Sequence, residues 1–152
     1  MSSYISLPLY AASIDARLRL VAGRSPTTGE LVYPPRTVGT ETGAQDFAPE
    51  VLSGLGTVYS FTVIARGGAP AEFDDQQTMT GTIVVGVIEL AEGPRVIGQI
   101  VDADPGALEI GTPVAARVRR LYDQEGVVRY GLKFVPATDT ATATDTGPQG
   151  AP

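Results

Sequence analysis

Apolar and polar residues alternate along Leu52–Arg66, LSGLGTVYSFTVIAR. Thr57, Tyr59, Phe61, Val63 and Ala65 fall on one side; Val58, Ser60, Thr62, Ile64 and Arg66 fall on the other. A period of two held over this length, rich in β-branched and aromatic residues, predicts a strand. Gly54 and Gly56 at its start predict a bend or bulge where the chain enters a curved sheet. Thr80–Leu90, TGTIVVGVIEL, predicts a second strand with two apolar faces: Ile83, Val85 and Val87 on one, Val84, Ile88 and Leu90 on the other. A barrel strand needs one such face, so the second must be covered by this chain or by another protein. After the tight turn Ala91–Pro94, Arg95–Val101 pairs back as a hairpin. Thr112–Tyr122 and Val127–Val135, joined by the DQEG turn, bring the count to five. Five strands of this kind predict a small barrel of the mainly β class over residues 51–136.

The remaining segments read differently. Gly67–Met79, GGAPAEFDDQQTM, is a polar loop whose single aromatic is Phe73. A loop of that length in a compact domain is more often functional than idle. Its adjacent acids, Asp74 and Asp75, can bind a hard cation, but such pairs are usually just solvated. Residues 1–17 form an arm ending in a short helix at Ala11–Leu18, with Ser13 and Asp15 as caps and Ile14 and Leu18 on one face. Residues 18–50 hold two short β pieces, Arg17–Val21 and Glu30–Tyr33, around the turn SPTTG, followed by the extended Pro34-Pro35. Little here can form a core alone, so this segment must lean on the barrel or on a partner. Residues 137–152, ATDTATATDTGPQGAP, lack large apolar side chains and read as disordered.

Composition narrows the chemistry. Gly 18 and Pro 12 fit many turns and short strands, and 43% hydrophobic residues suffice for an ordinary core. With no Cys and no His there is no disulfide, no thiolate nucleophile, no Ser-His-Asp triad and no thiolate or imidazole ligand for zinc. The only lysine is Lys133. A net charge of −6 argues against binding nucleic acid by neutralising its phosphates. No run is long enough to cross a membrane as a helix, and MSSYISLPLYAAS lacks the basic start of a signal peptide. The reading is a soluble cytoplasmic protein.

Four short motifs together resemble a known family. They are Pro34-Pro35-Arg36; Ser53-Gly54 with Gly56–Ser60 and Thr62; Glu89-Leu90 with Glu92–Arg95; and Ile110-Gly111 with Pro113-Val114. In this order and spacing the chain resembles the DUF35 proteins, which join a rubredoxin-like zinc ribbon to an OB-fold and act as accessory subunits of thiolase-like enzymes. The resemblance implies that the five-stranded barrel is an OB-fold and that residues 18–50 are a degenerate ribbon. Family members carry CxxCG before PPR and CPxCG after it. Here the implied ligand positions are Ser25, Thr28, Gly39 and Thr42. Hydroxyls and glycine cannot replace thiolates, so a ribbon without metal is expected.

The resemblance further implies a non-catalytic subunit that docks on a thiolase-like chain in a hetero-oligomer and helps shape the channel for a CoA thioester. The partner would supply Cys and His for acyl transfer, thiolysis or aldol and retro-Claisen cleavage. This chain would bind no cofactor itself; acyl-CoA would be the substrate of the complex. Phe73, Val84, Ile88 and Leu90 are the expected partner contacts. Arg36, Arg95, Arg117, Arg119 and Lys133 are candidates for the phosphates of CoA, although each also reads as a solvated or ion-paired residue. Glu89 and Glu92 are candidate acids, equally explained by hairpin geometry or an ion pair to Arg95. Two other classes stay open. One is an OB-fold binding single-stranded nucleic acid, for which Tyr59 and Phe61 would have to leave the expected interior face. The other is a stand-alone barrel that binds or turns over a small ligand.

Overall fold

The structure, a computed structural model, describes residues 14, 18–35, 47–65, 67–69, 73–124 and 127–137. The expected arm and the tail beyond 137 lie outside the described residues, as do Arg36, Gly39 and Thr42. Of the expected N-terminal helix only Ile14 and Leu18 are described, both in helical conformation.

A small antiparallel sheet comes first, in the order β2-β1-β3: β1 Val21–Arg24, β2 Leu31–Val32 and β3 Ala48–Val51. It differs from the two-piece reading in two ways: β1 begins where the first expected piece, Arg17–Val21, ends, and a third strand, Ala48–Val51, pairs along all of β1. The closed barrel follows: β4 Leu55–Ala65, β5 Thr82–Leu90, β6 Arg95–Ile100, β7 Pro113–Gln124 and β8 Val127–Pro136. Its strand order is β4-β5-β6-β8-β7, with β7 closing back on β4 and a parallel β6–β8 contact at Ile100 and Phe134. These are the five expected strands, in the expected class.

The barrel interior is set by alternation and by two glycines. Val84, Ile88 and Leu90 of β5 point inward with Val58, Val96, Ile100, Val114 and Phe134. Gly86 and Gly98 are register partners, and Phe61 pairs with Gly86. A Cβ at Gly98 would stand 2.7 Å from the Phe134 ring, so the missing side chain makes room for that ring. The small sheet shares this core. Leu20, Ala22 and Leu52 belong to the same buried cluster, and Leu31 and Tyr33 pack against it. Leu52 N–H also donates to the Leu20 carbonyl at 2.8 Å. The segment that cannot make its own core leans on the barrel.

Two expectations need correcting. The Gly67–Met79 stretch is not all loop, because Asp74–Thr80 forms a helix, α1. Gly81, at φ +77°, stops it and donates to the Gln77 carbonyl. Buried Gln77 fastens α1 to the end of β4, accepting from Gly67 N–H at 3.2 Å and donating to the Ala65 carbonyl at 3.0 Å. The second correction concerns β4. A bulge between Val58 and Ser60 shifts its phase. Val58 is buried, Phe61 is half-buried against the core, and Tyr59 is turned outward instead of sharing an inner face with Phe61.

Candidate functional site

The outer face of the β4–β5–β6 sheet is uncovered at one end. Register sets Ser60, Val87 and Ile97 in one row across the three strands, with Glu89 and Arg95 in the next. Ile97 is 78% exposed and Tyr59 is 48% exposed. Arg95 Nε donates to Glu89 Oε2 at 2.8 Å, and its guanidinium lies 3.7 Å from the Tyr59 ring centre. Cation–π contact and ion pair together hold a flat aromatic–guanidinium pair beside an exposed isoleucine. Tyr and Arg flanking an aliphatic residue is the composition of a protein-docking surface. The same contact argues against base stacking, since the guanidinium occupies one ring face.

The opposite end of that face is covered. Here α1 packs over β5, and Ile83, an outer-face residue, is only 5% exposed. Between α1 and the ends of β5, β6, β7 and β8 lies a cleft of about 640 Å³. Ile83, Ile100, Val101 and Leu121 give it apolar walls. Gln76, Gln99, Asp102, Arg119 and Lys133 give it polar ones. Lys133 is 3% exposed, and its Nζ donates to Gln76 Oε1 of α1 at 3.2 Å. Burial holds its ammonium below the ordinary lysine pKa, partly opposed by the Asp102 charge. Asp102 is itself engaged by Arg119, Nη2 to Oδ2 at 3.1 Å. Gln99 Nε2 is buried with no hydrogen-bond partner among the described residues.

The expected site residues therefore separate. Arg119 and Lys133 meet in the cleft, and Arg117 is the cross-strand partner of Lys133 but exposed, its Nη1 donating to the Ala116 carbonyl. Arg95 lies near the other end of β6, four residues from Gln99, or ~13 Å along a strand. The four described cations, Arg95, Arg117, Arg119 and Lys133, do not form one phosphate patch. Lys133 is corrected from surface cation to buried donor. Val84, Ile88 and Leu90 are corrected as partner contacts, since all three are buried inside the barrel at 5% exposure or less. Half-buried Phe73 stands at the N-terminal end of α1. Glu89 serves Arg95. Glu92 Oε1 accepts from Ser53 N–H at 2.6 Å. Burial pushes the Glu92 carboxyl up, but the hydrogen bonds from Ser53 outweigh this and hold it below the usual carboxylate range. It is a clamp between the β5–β6 turn and the link into β4. Sequence reasoning missed Ile97, Gln76, Gln99 and Asp102; only Ile97, apolar at an outward position, carried a signal.

The knuckle at Ser25–Gly29 keeps a turn without a metal-ligand set. Gly29, at φ +71°, donates to the Ser25 carbonyl at 2.9 Å, and Ser25 Oγ accepts from Thr28 N–H at 3.2 Å. Thr28 Oγ1 accepts from Glu30 N–H at 3.3 Å. Arg24 reaches across the sheet to Glu50 through two bonds, 2.6 and 2.7 Å, and donates to the Gly29 carbonyl at 2.6 Å. Neutral hydroxyls already engaged with backbone N–H groups do not fit zinc. Among the described residues no group of three or more acidic side chains could hold a metal, and no helix is long and apolar enough to cross a membrane.

Comparison with known proteins places this geometry. The family described as "ChsH2, C-terminal OB-fold domain" matches residues 50–119. The chain is similar to a DUF35 domain-containing scaffold protein of Methanocaldococcus jannaschii, 36% identical over 81% of this chain and 85% of that protein. It is 34% identical to the 3-oxo-4,17-pregnadiene-20-carboxyl-CoA hydratase alpha subunit of Mycobacterium tuberculosis, over 58% of this chain and 26% of that subunit. Among solved structures it resembles a chain of the Ltp2-ChsH2(DUF35) aldolase, with a TM-score of 0.64 and 25% identity, covering 91% of this chain and all of that one.

Proposed function

This chain belongs to the DUF35 family, and from that premise we propose that it is a non-catalytic scaffold subunit docking on a thiolase-like enzyme that acts on acyl-CoA. The observation that carries the reading is the open outer face around Ile97, Tyr59 and Arg95. An isoleucine 78% exposed beside a Tyr–Arg pair supports a docking surface, where covering these side chains yields binding energy. The absence of Cys and His supports the division of labour, because carbon–carbon chemistry beside a thioester needs a nucleophile and a base. The names of the relatives agree: scaffold proteins, a CoA-thioester hydratase subunit and an aldolase complex. In this reading the docked barrel also helps form the wall of the CoA channel, with exposed Arg117 a candidate cation for phosphate.

Co-expression with a thiolase-like protein from the same source tests this. The expected result is a stable complex whose activity on an acyl-CoA falls when this chain is removed. A partner fully active alone, with this chain eluting separately, would overturn it.

A further inference from the structure

The covered end of the sheet holds a second feature that docking does not use. Ile100 and Phe134 are parallel register partners, both buried in the barrel. The residues just before them, Gln99 and Lys133, therefore lie side by side on the opposite, outer face, under α1, where strands stand about 4.8 Å apart. Both line the cleft. Their polar groups are donors in surplus. Lys133 Nζ has three N–H groups and one side-chain acceptor, Gln76 Oε1. Gln99 Nε2 has none. The nearby carboxylate, Asp102, is already paired with Arg119. A buried ammonium short of acceptors and a buried amide nitrogen with none among the described residues are costly to keep in a stable barrel. The cost is explained if an acceptor enters.

We propose that this cleft binds a hydrophobic carboxylic acid, its carboxylate between Lys133 Nζ and Gln99 Nε2 and its chain along Ile83, Val101 and Leu121. The charge selects an anion. Arg119 and Arg120 also line the cleft, and Arg119 is engaged by Asp102; the Lys133 ammonium beside the Gln99 amide offers two adjacent donors that match the two oxygens of a planar carboxylate. The apolar walls select a hydrocarbon body, and about 640 Å³ lies within the range of small-molecule sites. Gln76, on α1, ties the helix to the head-group end, so α1 serves as one wall of the site. This inference stands apart from the docking reading: it concerns the covered end of the face and holds or fails in the isolated chain.

Lys133 is the only lysine, so selective lysine labelling gives one side-chain resonance to follow. Titrating the full chain with octanoate should move that resonance saturably, at a midpoint at least ten-fold below that for acetate. Octanol, which has the chain but not the charge, should leave it nearly unmoved. Calorimetry should show octanoate binding weakened at least ten-fold in Lys133→Met and in Gln99→Leu, with both variants folded by circular dichroism. A lysine resonance that ignores octanoate at millimolar concentration overturns the proposal. So does an equal response to octanol, or a folded Gln99→Leu that binds as the unaltered chain does.

Discussion

The two ends of the β5–β6 outer face have the same alternating pattern and opposite fates. Ile83, at one end, lines the cleft beside α1 at 5% exposure; Ile97, at the other, is 78% exposed. Backbone geometry does not separate them, for both sit at outward positions in regular antiparallel pairing. What separates them is the seven-residue helix in the β4–β5 connection, held down by Gln77 and reaching only as far as the Lys133 end. An apolar outward residue is thus evidence that something covers the sheet, but not evidence of what. The covered end lies beside the chain's own helix, and the open end is the part that the docking proposal assigns to a partner.

Introducing a charge at both isoleucines breaks the comparison most sharply. Ile83→Asp buries an unpaired carboxylate and should cost ~3–5 kcal/mol of stability, visible in denaturant unfolding. Ile97→Asp should change unfolding by no more than about 0.5 kcal/mol, because its side chain is already in water. The same substitution should weaken assembly with the catalytic partner by ~2 kcal/mol, about 30-fold in Kd, measured by calorimetry.

Lys133→Met sharpens the comparison from the covered side. Removing a buried, incompletely satisfied ammonium should stabilise the ligand-free chain by on the order of 1 kcal/mol near neutral pH. The pH dependence has a definite sign. Burial lowers the folded-state pKa of Lys133, so the unfolded chain binds more protons as pH rises between the two values. The stability of the unaltered chain therefore gains on that of Lys133→Met as pH rises from neutrality through the folded pKa toward the unfolded value, and the gap closes. Unfolding curves at several alkaline pH values check this. The smallest effect belongs to the open end: Arg95→Ala should cost under about 1 kcal/mol of stability, since its ion pair and ring contact are both exposed.

The five barrel strands were legible because a period of two, interrupted by turn residues, has few other meanings. Which face of β5 lies inside was not legible. Ile83, Val85 and Val87 look as apolar as Val84, Ile88 and Leu90, and the choice is made by the neighbours Gly86 and Gly98 meeting Phe61 and Phe134. The bulge at Tyr59 defeated strict alternation in the same way, since nothing local to the sequence marks the residue that slips. Helix α1 had its signals, with Asp74 and Asp75 in the first turn and Gly81 after the last. Its polarity hid them, because it packs through Gln76 and Gln77 rather than through an apolar stripe. The cleft was beyond reach for another reason: Gln76, the Gln99–Asp102 stretch and Lys133 come from three separate segments and meet only through the barrel's closure. The turn at Ser25–Gly29, by contrast, was legible in SPTTG itself, and the Arg24–Glu50 pair that accompanies it needed the fold.

Light-scattering mass measurement on the co-purified assembly addresses the scaffold role most directly. The account predicts a single species containing this chain and a thiolase-like subunit in fixed ratio, which falls apart into its components when Ile97 is replaced by Asp. An assembly of unchanged mass with Ile97→Asp, or a monomeric chain in the presence of that subunit, would contradict it.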